Sequence, residues 1–220
     1  MSSHHIVRDD QEPALIIANG ESCSRELLDQ LLEWNPLVVV LDSAMERVIE
    51  LGIKVDVLIG DFDRNFDSLK YKDAQYPIEI IHVADQNSTD LEKAFNYLIN
   101  RNIPMVNVVW ATGRRMDHTI ANITCLPKYK KDLKIVILDD YSKIFLLPKE
   151  YKKWYPKETV ISLIPIGKVE NITTHLLKYP LNKEHLELGE RIGSSNSVLK
   201  DGIIEIYHGE GNLLLMECWD

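Results

Sequence analysis

Short, unbroken apolar runs recur through the first 140 residues. Ala14 to Ala18 runs out at Asn19-Gly20, Leu37 to Leu41 at Asp42, and Val55 to Ile59 at Gly60. Ile78 to Val83, Met105 to Trp110 and Ile135 to Leu138 have the same character. Such runs predict strands buried on both faces. The stretches between them have helical periodicity: about Ser24 to Trp34, Ala44 to Leu51, Thr89 to Arg101 and Met116 to Leu126. Ser43 with Glu46, and Thr89 with Glu92, have capping-box spacing, and Gly52 stops the second helix. Strands alternating with helices predict a parallel sheet with helices on its faces.

From about Lys143 the pattern changes to short β-rich pieces: Thr159 to Ile164, Gly167 to Leu177, Gly202 to Tyr207 and Leu213 to Met216. Proline and glycine turns separate them, and only Lys183 to Leu188 suggests a helix. The expected fold class is α/β. A mostly parallel α/β domain with Rossmann-like layers spans 1–140, and an all-β sandwich or barrel spans 141–220, with the boundary near Asp140 to Ser142.

Composition narrows the function classes. A chain of 220 residues that is 45% hydrophobic can build a substantial core. Its net charge of −9 argues against a general nucleic-acid binder, which needs a basic surface. No apolar run approaches the roughly 20 residues of a membrane helix. Met1 to Asp10 is polar and lacks the apolar centre of a secretory signal. Cys23, Cys125 and Cys218 are widely spaced with no CxxC pair, so the expected compartment is the cytoplasm. Trp34, Trp110, Trp154 and Trp219 are read as core or domain-contact residues.

The chemistry gathers where the predicted strands end. Asp42 ends the second, Asp61 and Asp63 follow the third, and Asp85-Gln86-Asn87-Ser88-Thr89-Asp90 follows the fourth. Gly113-Arg114-Arg115-Met116-Asp117-His118 follows the fifth. In a parallel sheet these loops share the edge where ligands bind. Paired carboxylates there suit a hard divalent cation, Mg²⁺ carrying polyphosphate; a solvated acidic turn has the same composition. Asp90, just past the Thr89 cap, compensates the helix dipole or joins Asp61 and Asp63 on the metal, and both roles are compatible. Gly113-Arg114-Arg115 matches neither the GxGxxG nor the GxxxxGK[ST] spacing, yet a glycine before two arginines at a helix start can bind phosphate. Asp117 can orient an arginine or accept a proton, and His118 can be a base or a structural hydrogen-bonder.

In this order and spacing the pieces resemble the thiamine pyrophosphokinase (thiamin diphosphokinase) family. They are Leu41-Asp42-Ser43-Ala44, Val55 through Asp63, Asp85 through Ala94, and Gly113 through Asn122. The later half adds Ser162-Leu163-Ile164-Pro165, Leu177 through Leu181 and Ser194-Ser195-Asn196. The resemblance covers about residues 14 to 217.

The resemblance implies an ATP:thiamine diphosphotransferase. Diphosphate passes from Mg-ATP to the thiamine hydroxyl, giving thiamine diphosphate and AMP. It implies a homodimer with thiamine bound where the protomers meet. By position, Asp61, Asp63 and Asp90 resemble the Mg²⁺ and phosphate-handling acids. Asp42, Gln86, Thr89, Lys93, Gly113, Arg114 and Arg115 resemble nucleotide-side positions. Asp117 resembles a residue near the thiamine, and Ser195 and Asn196 resemble the pair lining its pocket. The catalytic set expected is Asp61, Asp63, Asp90, Arg115 and Asp117. The chain departs from the family pattern at Ser43-Ala44, Arg64, Arg114 and Ser197. Alternatives are a related diphosphokinase acting on a hydroxymethyl-pterin alcohol, a glycosyltransferase using an Asp-x-Asp metal site, and a non-catalytic thiamine-diphosphate sensor. The sensor would not need the metal acids, all of which are present.

Overall fold

The structure is a computed structural model and describes residues 13–62 and 68–219. The chain divides into two compact units, Met1–Ile135 and Val136–Asp220.

The first unit is built on five parallel strands. They are β1 (Ala14–Ile17), β2 (Leu37–Leu41), β3 (Val57–Gly60), β4 (Glu79–His82) and β5 (Met105–Val109), in the order β5-β1-β2-β3-β4. All of β1 and β3 is buried, as is all but the first residue of β2 and β5; hence their unbroken apolar runs. The edge strand β4 is more exposed. The helices are α1 (Arg25–Leu32), α2 (Met45–Glu50), α3 (Ser68–Gln75), α4 (Asp90–Asn100), α5 (Met116–Thr124) and α6 (Leu126–Tyr129). Helix α4 buries Leu91, Ala94, Phe95 and Leu98, a stripe at helical spacing. Thr89 and Glu92 close the expected capping box at its start.

The second unit is antiparallel. Its strands are β6 (Lys134–Leu138, which begins just before the division), β7 (Ser142–Leu146), β8 (Glu150–Tyr155), β9 (Val160–Ile166), β10 (Lys168–His175), β11 (Asn182–Glu187), β12 (Gly193–Ser197), β13 (Gly202–Tyr207) and β14 (Asn212–Cys218). One set runs in the order β12-β9-β14-β7-β6, and a four-stranded sheet runs β11-β10-β13-β8. Ile161, Leu163, Leu213 and Leu215 from the first set share a core with Val169, Ile172, Ile204 and Ile206 from the second. Two antiparallel layers around one apolar filling make a sandwich.

Three expectations are corrected. Ser43 and Glu46 form no capping box. A 3₁₀ turn, Asp42–Ala44, precedes α2, and no side chain caps either. Asp42 takes the Ser43 N–H itself, while Glu46 accepts from Lys70 and Tyr71. Lys183 to Leu188 is not helical but lies largely in β11, paired with β10. Trp110 is a core residue, but Trp34 and Trp154 are about half exposed.

His208, buried in the second unit, sets a pH response. Burial holds its imidazole below the ordinary value of 6.5, helped by the charge of Lys149. Its Nδ1 lies 3.0 Å from the Gly209 carbonyl, and among the described residues the buried Nε2 has no hydrogen-bond partner. The unfolded chain therefore takes up this proton more readily than the folded one. Stability is full above pH 6.5 and is lost as pH falls from there through the lowered folded value. Urea unfolding from pH 7.5 down to pH ~5, above the ordinary carboxylate range, should show this loss in the wild type. The loss should shrink in His208→Asn, which cannot charge.

Candidate active site

The first unit switches direction at β1. The chain proceeds through β2, β3 and β4 on one side, then returns to lay β5 on the other. In open parallel sheets, ligands bind beside the carboxyl ends of the strands flanking such a switch. A cleft of about 420 Å³ opens there, lined by Asn19 and Gly20 after β1, Asp61 after β3, Asp90 on α4, and Gly113 and Arg114 after β5.

Strand register builds the acidic wall. Leu41 pairs with Ile59, so Asp42 and Gly60 come next on neighbouring strands. A Cβ on Gly60 would stand 2.3 Å from the Asp42 carboxyl carbon and Oδ2. The glycine leaves the space that the carboxylate occupies. Asp42 Oδ2 accepts the Phe62 N–H at 3.2 Å, and Oδ1 accepts the Ser43 N–H at 2.5 Å. Burial, and then the charge of Asp90, hold the Asp42 carboxyl above its ordinary value; the two N–H donors pull it back, and Asp61 adds to the rise. Asp42 therefore feels both of the other acids. Next on the edge, His82 Nε2 lies 2.9 Å from the Asp61 carbonyl oxygen, and its ring stacks on Phe62, centroids 5.9 Å apart. Phe62 itself has φ +44°, the left-handed region.

Helix α4 brings a cation into this wall. The Lys93 side chain is only 3% exposed, and its Nζ donates to Asp90 Oδ1 at 2.8 Å. The preceding loop is held by Asp85, whose carboxylate accepts from Asn87 N at 2.9 Å and Ser88 Oγ at 2.6 Å. Gln86 Nε2 reaches Asp61 Oδ2 only at 3.5 Å.

The opposite wall is basic. Gly113 has φ +72°, and a Cβ there would meet Glu21 Cβ at 2.5 Å. Arg114, also left-handed at φ +51°, donates through Nη1 to Asn19 Oδ1 at 3.2 Å and to the Asn19 carbonyl at 3.3 Å. The loop is fastened from α5, where Asn122 Nδ2 donates to the Ala111 carbonyl at 2.8 Å. Arg115 precedes α5 and forms a two-bonded pair with Asp117 on the surface. That guanidinium holds the Asp117 carboxyl below its ordinary value, making it a weaker base and favouring its orienting role.

Most of the expected residues converge. Asp61, Gln86, Thr89, Asp90 and Lys93 line one side of the cleft, and Gly113, Arg114 and Arg115 line the other. Asp42 stands behind the acidic wall, bonded to Phe62. Asp117 does not line the cleft but faces solvent beside Arg115. Asp63 and Arg64 lie outside the described residues. Among the described residues no three His, Cys, Asp or Glu side chains form a metal-binding group.

Ser195 and Asn196 belong to the second unit. Asn196 is buried, and its amide is engaged on both sides. Oδ1 accepts from Tyr179 N at 3.0 Å and Ser197 N at 2.9 Å, and Nδ2 donates to the Tyr179 carbonyl at 2.8 Å. Ser195 is exposed, with φ +54°.

Two residues escaped the sequence reading. Asn19 was legible only as the start of the Asn-Gly pair that ends a strand, and Arg47 only as a position within the helix expected from Ala44 to Leu51. Arg47 donates to Asn19 Oδ1 at 3.2 Å and to the Gly20 carbonyl at 3.0 Å, and its guanidinium lies 4.3 Å from the Trp110 ring centroid.

Comparison with known proteins adds the following. Residues 28–137 match the family model "Thiamin pyrophosphokinase, catalytic domain", and residues 145–212 match "Thiamin pyrophosphokinase, vitamin B1 binding domain". The chain is 26% identical over 194 residues to the thiamine pyrophosphokinase of Bacillus subtilis (strain 168), covering 84% of this chain and 88% of that one. It is 31% identical over 169 residues to thiamine pyrophosphokinase 1 of Oryza sativa subsp. japonica, covering 70% and 63%. The fold is shared with the crystal structure of the Bacillus subtilis thiamine pyrophosphokinase at TM-score 0.78 and 24% identity, covering 94% of this chain and 99% of that one. It is also shared with that of yeast thiamin pyrophosphokinase at TM-score 0.82 and 19% identity, covering 96% and 88%.

The packing of Asp42 against Gly60 makes a separable prediction. Gly60→Ala must displace the carboxylate from the Phe62 N–H and should cost ~1–3 kcal/mol in urea unfolding. Gly52→Ala is the control. It has φ +68° with nothing within 4 Å of its added methyl, so it should cost only the strain of a left-handed alanine, ~1 kcal/mol. Equal losses in the two would remove the steric account.

Proposed function

The chain belongs to the thiamin pyrophosphokinase family, and we propose on that premise that it transfers diphosphate from ATP to thiamine. The thiamine hydroxyl oxygen bonds to the β-phosphorus, the bond between that phosphorus and the α,β-bridging oxygen breaks, AMP leaves, and the hydroxyl proton passes to a carboxylate or to water. The observation that carries the reading is the presence, in order on one chain, of both the catalytic and the vitamin B1 binding halves. The cleft supports it. Carboxylates on one wall and guanidinium groups on the other match a polyphosphate accompanied by a divalent cation.

Asp61 and Asp90, with Asp63, offer the hard oxygen donors that Mg²⁺ takes, and the repulsion felt by Asp42 is what a bound cation would relieve. When bound, Mg²⁺ would screen the negative charge of the phosphate oxygens. Such a transfer depends mainly on positioning and charge neutralisation. Lys93, its side chain buried, fixes Asp90 and adds a positive charge to the acidic wall. Thr89 holds the start of α4, with Gln86 beside it on the cleft. Arg114 and Arg115, after Gly113, supply cations for the moving diphosphate. Asp117 orients Arg115 on the thiamine side. In the second unit Asn196 shapes the turn at Tyr179 that would flank thiamine, and the exposed Ser195 is the contact it leaves to the ligand. A homodimer with thiamine between protomers, and a cytoplasmic location, complete the proposal. Among the described residues no helix is long and apolar enough to cross a membrane.

Incubation with Mg-ATP and thiamine, with AMP measured as product, tests the reading. AMP should appear with thiamine and not with a hydroxymethyl-pterin. The reverse preference would assign the acceptor to the pterin class, and binding of thiamine diphosphate without AMP release would identify a sensor. Asp61→Asn and Asp63→Asn should each lower turnover by ~100-fold or more, the scale of a key electrostatic group. Near-normal turnover in a folded Asp63→Asn protein would remove its metal role.

A further inference from the structure

We propose that Arg47 is a positioning residue for the nucleotide's phosphate chain: it holds Asn19 and, through Asn19, fixes where Arg114 stands on the cleft wall. The inference rests on the proposed use of ATP but concerns its binding rather than its turnover.

Arg47 comes from α2, yet it joins two other segments, the loop after β1 and the end of β5. Its Nη1 donates to Asn19 Oδ1 at 3.2 Å and to the Gly20 carbonyl at 3.0 Å, and its Nη2 donates to Ser22 Oγ. Its guanidinium stacks on Trp110, a buried residue in the left-handed region at φ +57°. The β1 and β5 loops are themselves zipped together. Gly20 N donates to the Trp110 carbonyl at 2.5 Å and Glu21 N to the Thr112 carbonyl at 2.7 Å, and a Cβ on Gly20 would strike both carbonyls. Asn19 Oδ1 is shared, because Arg114 Nη1 donates to it at 3.2 Å. One amide oxygen thus takes a guanidinium from each side. Arg114 and Asn19 line the cleft, whereas Arg47 is not among the lining residues.

The arrangement has a cost. Burial, and then the like charge of Arg114, lower the proton affinity of Arg47, and Glu21 offsets this in part. Two cations drawn onto one neutral acceptor gain little in the unliganded protein. They leave Arg114 oriented for an anion on its open side. A planar fork over an indole suits this task because it fixes direction as well as charge.

The test is calorimetric titration of the full chain with ATP in the presence of Mg²⁺, alongside the KM for ATP and for thiamine. Arg47→Met keeps the apolar stem against Trp110 and removes the fork. It should weaken ATP binding by about tenfold, the scale of one or two lost charge-assisted bonds. The loss should appear in the KM for ATP more than in kcat, and the thiamine KM should change little. Arg47→Lys should not rescue binding. If Arg47 acts through Arg114, adding Arg47→Met to Arg114→Ala should cost under about threefold more. Asn19→Ala removes the acceptor that Arg47 and Arg114 share and should reproduce the loss. If Arg47→Met fails to fold, Arg47→Lys, which keeps the charge and loses the fork, stands in for it: normal ATP affinity there would overturn the inference. Normal ATP affinity in a folded Arg47→Met or Asn19→Ala protein would overturn the inference. So would fully additive losses with Arg114→Ala. A wild type that binds ATP but releases no AMP with any acceptor would refute the proposed reaction and leave the Arg47 effect measurable. A wild type that binds no ATP would refute both.

Discussion

Mutual repulsion among carboxylates at one sheet edge is the constraint on which the rest of the site depends. Neighbouring strands lie only about 4.8 Å apart, and the register of β2 with β3 puts Asp42 beside Gly60, one residue before Asp61. Asp90 adds a third charge from the start of α4. Local contacts offset part of this charge. Asp42 takes two backbone N–H groups, and Asp90 takes the buried ammonium of Lys93 and the positive end of a helix. Burial, and then the charge of Asp90, still hold the Asp42 carboxyl above its ordinary value. A carboxyl perturbed by burial and by neighbouring acids beside a cleft is the kind of group that clusters at functional sites.

The facing wall solves the opposite problem. Arg47 and Arg114 repel one another, and Asn19 draws both onto one oxygen. A cleft with excess negative charge on one side and excess positive charge on the other is poorly matched to a single simple ion. It is well matched to a phosphate chain whose oxygens meet guanidinium groups along one side and a cation along the other. The enzyme reading therefore has a physical basis within the first unit, separate from its likeness to relatives.

How much of this could be read from the sequence depends on which forces were local. Strands β1, β2, β3 and β5 were legible because burial on both faces leaves an unbroken apolar run. The Thr89–Glu92 box was legible because both partners lie on one helix turn. Ser43 and Glu46 present the same spacing, but Asp42 captures the Ser43 N–H, and Lys70 and Tyr71 capture Glu46 from 24 and 25 residues away. Strand β11, NKEHLE, has only Leu186 in the core, so its polar residues resemble a solvated helix until β10 supplies the pairing. Strands β8 and β12 hid for the same reason, as EYKKWY and GSSNS carry little apolar signal. Arg47 and Asn19 were illegible because their roles arise only when a helix and a loop, with the two residues 28 positions apart, are folded together.

Motif residues in this chain therefore divide by what their polar atoms already do. Asn196 shows the division within one dipeptide. Its amide is committed to the backbone of Tyr179 and Ser197, so its effect on a ligand would pass through the shape of that turn. Ser195 beside it is exposed and left-handed, and its backbone N–H donates to Ser162 Oγ at 2.9 Å. The same split separates Asp42 from Asp61, where one carboxylate folds the loop and the other lines the cleft. Losing an architectural residue of this kind should move several contacts together, whereas losing a lining residue removes one. A motif matched by sequence alone mixes both kinds, and only the hydrogen-bond partners tell them apart.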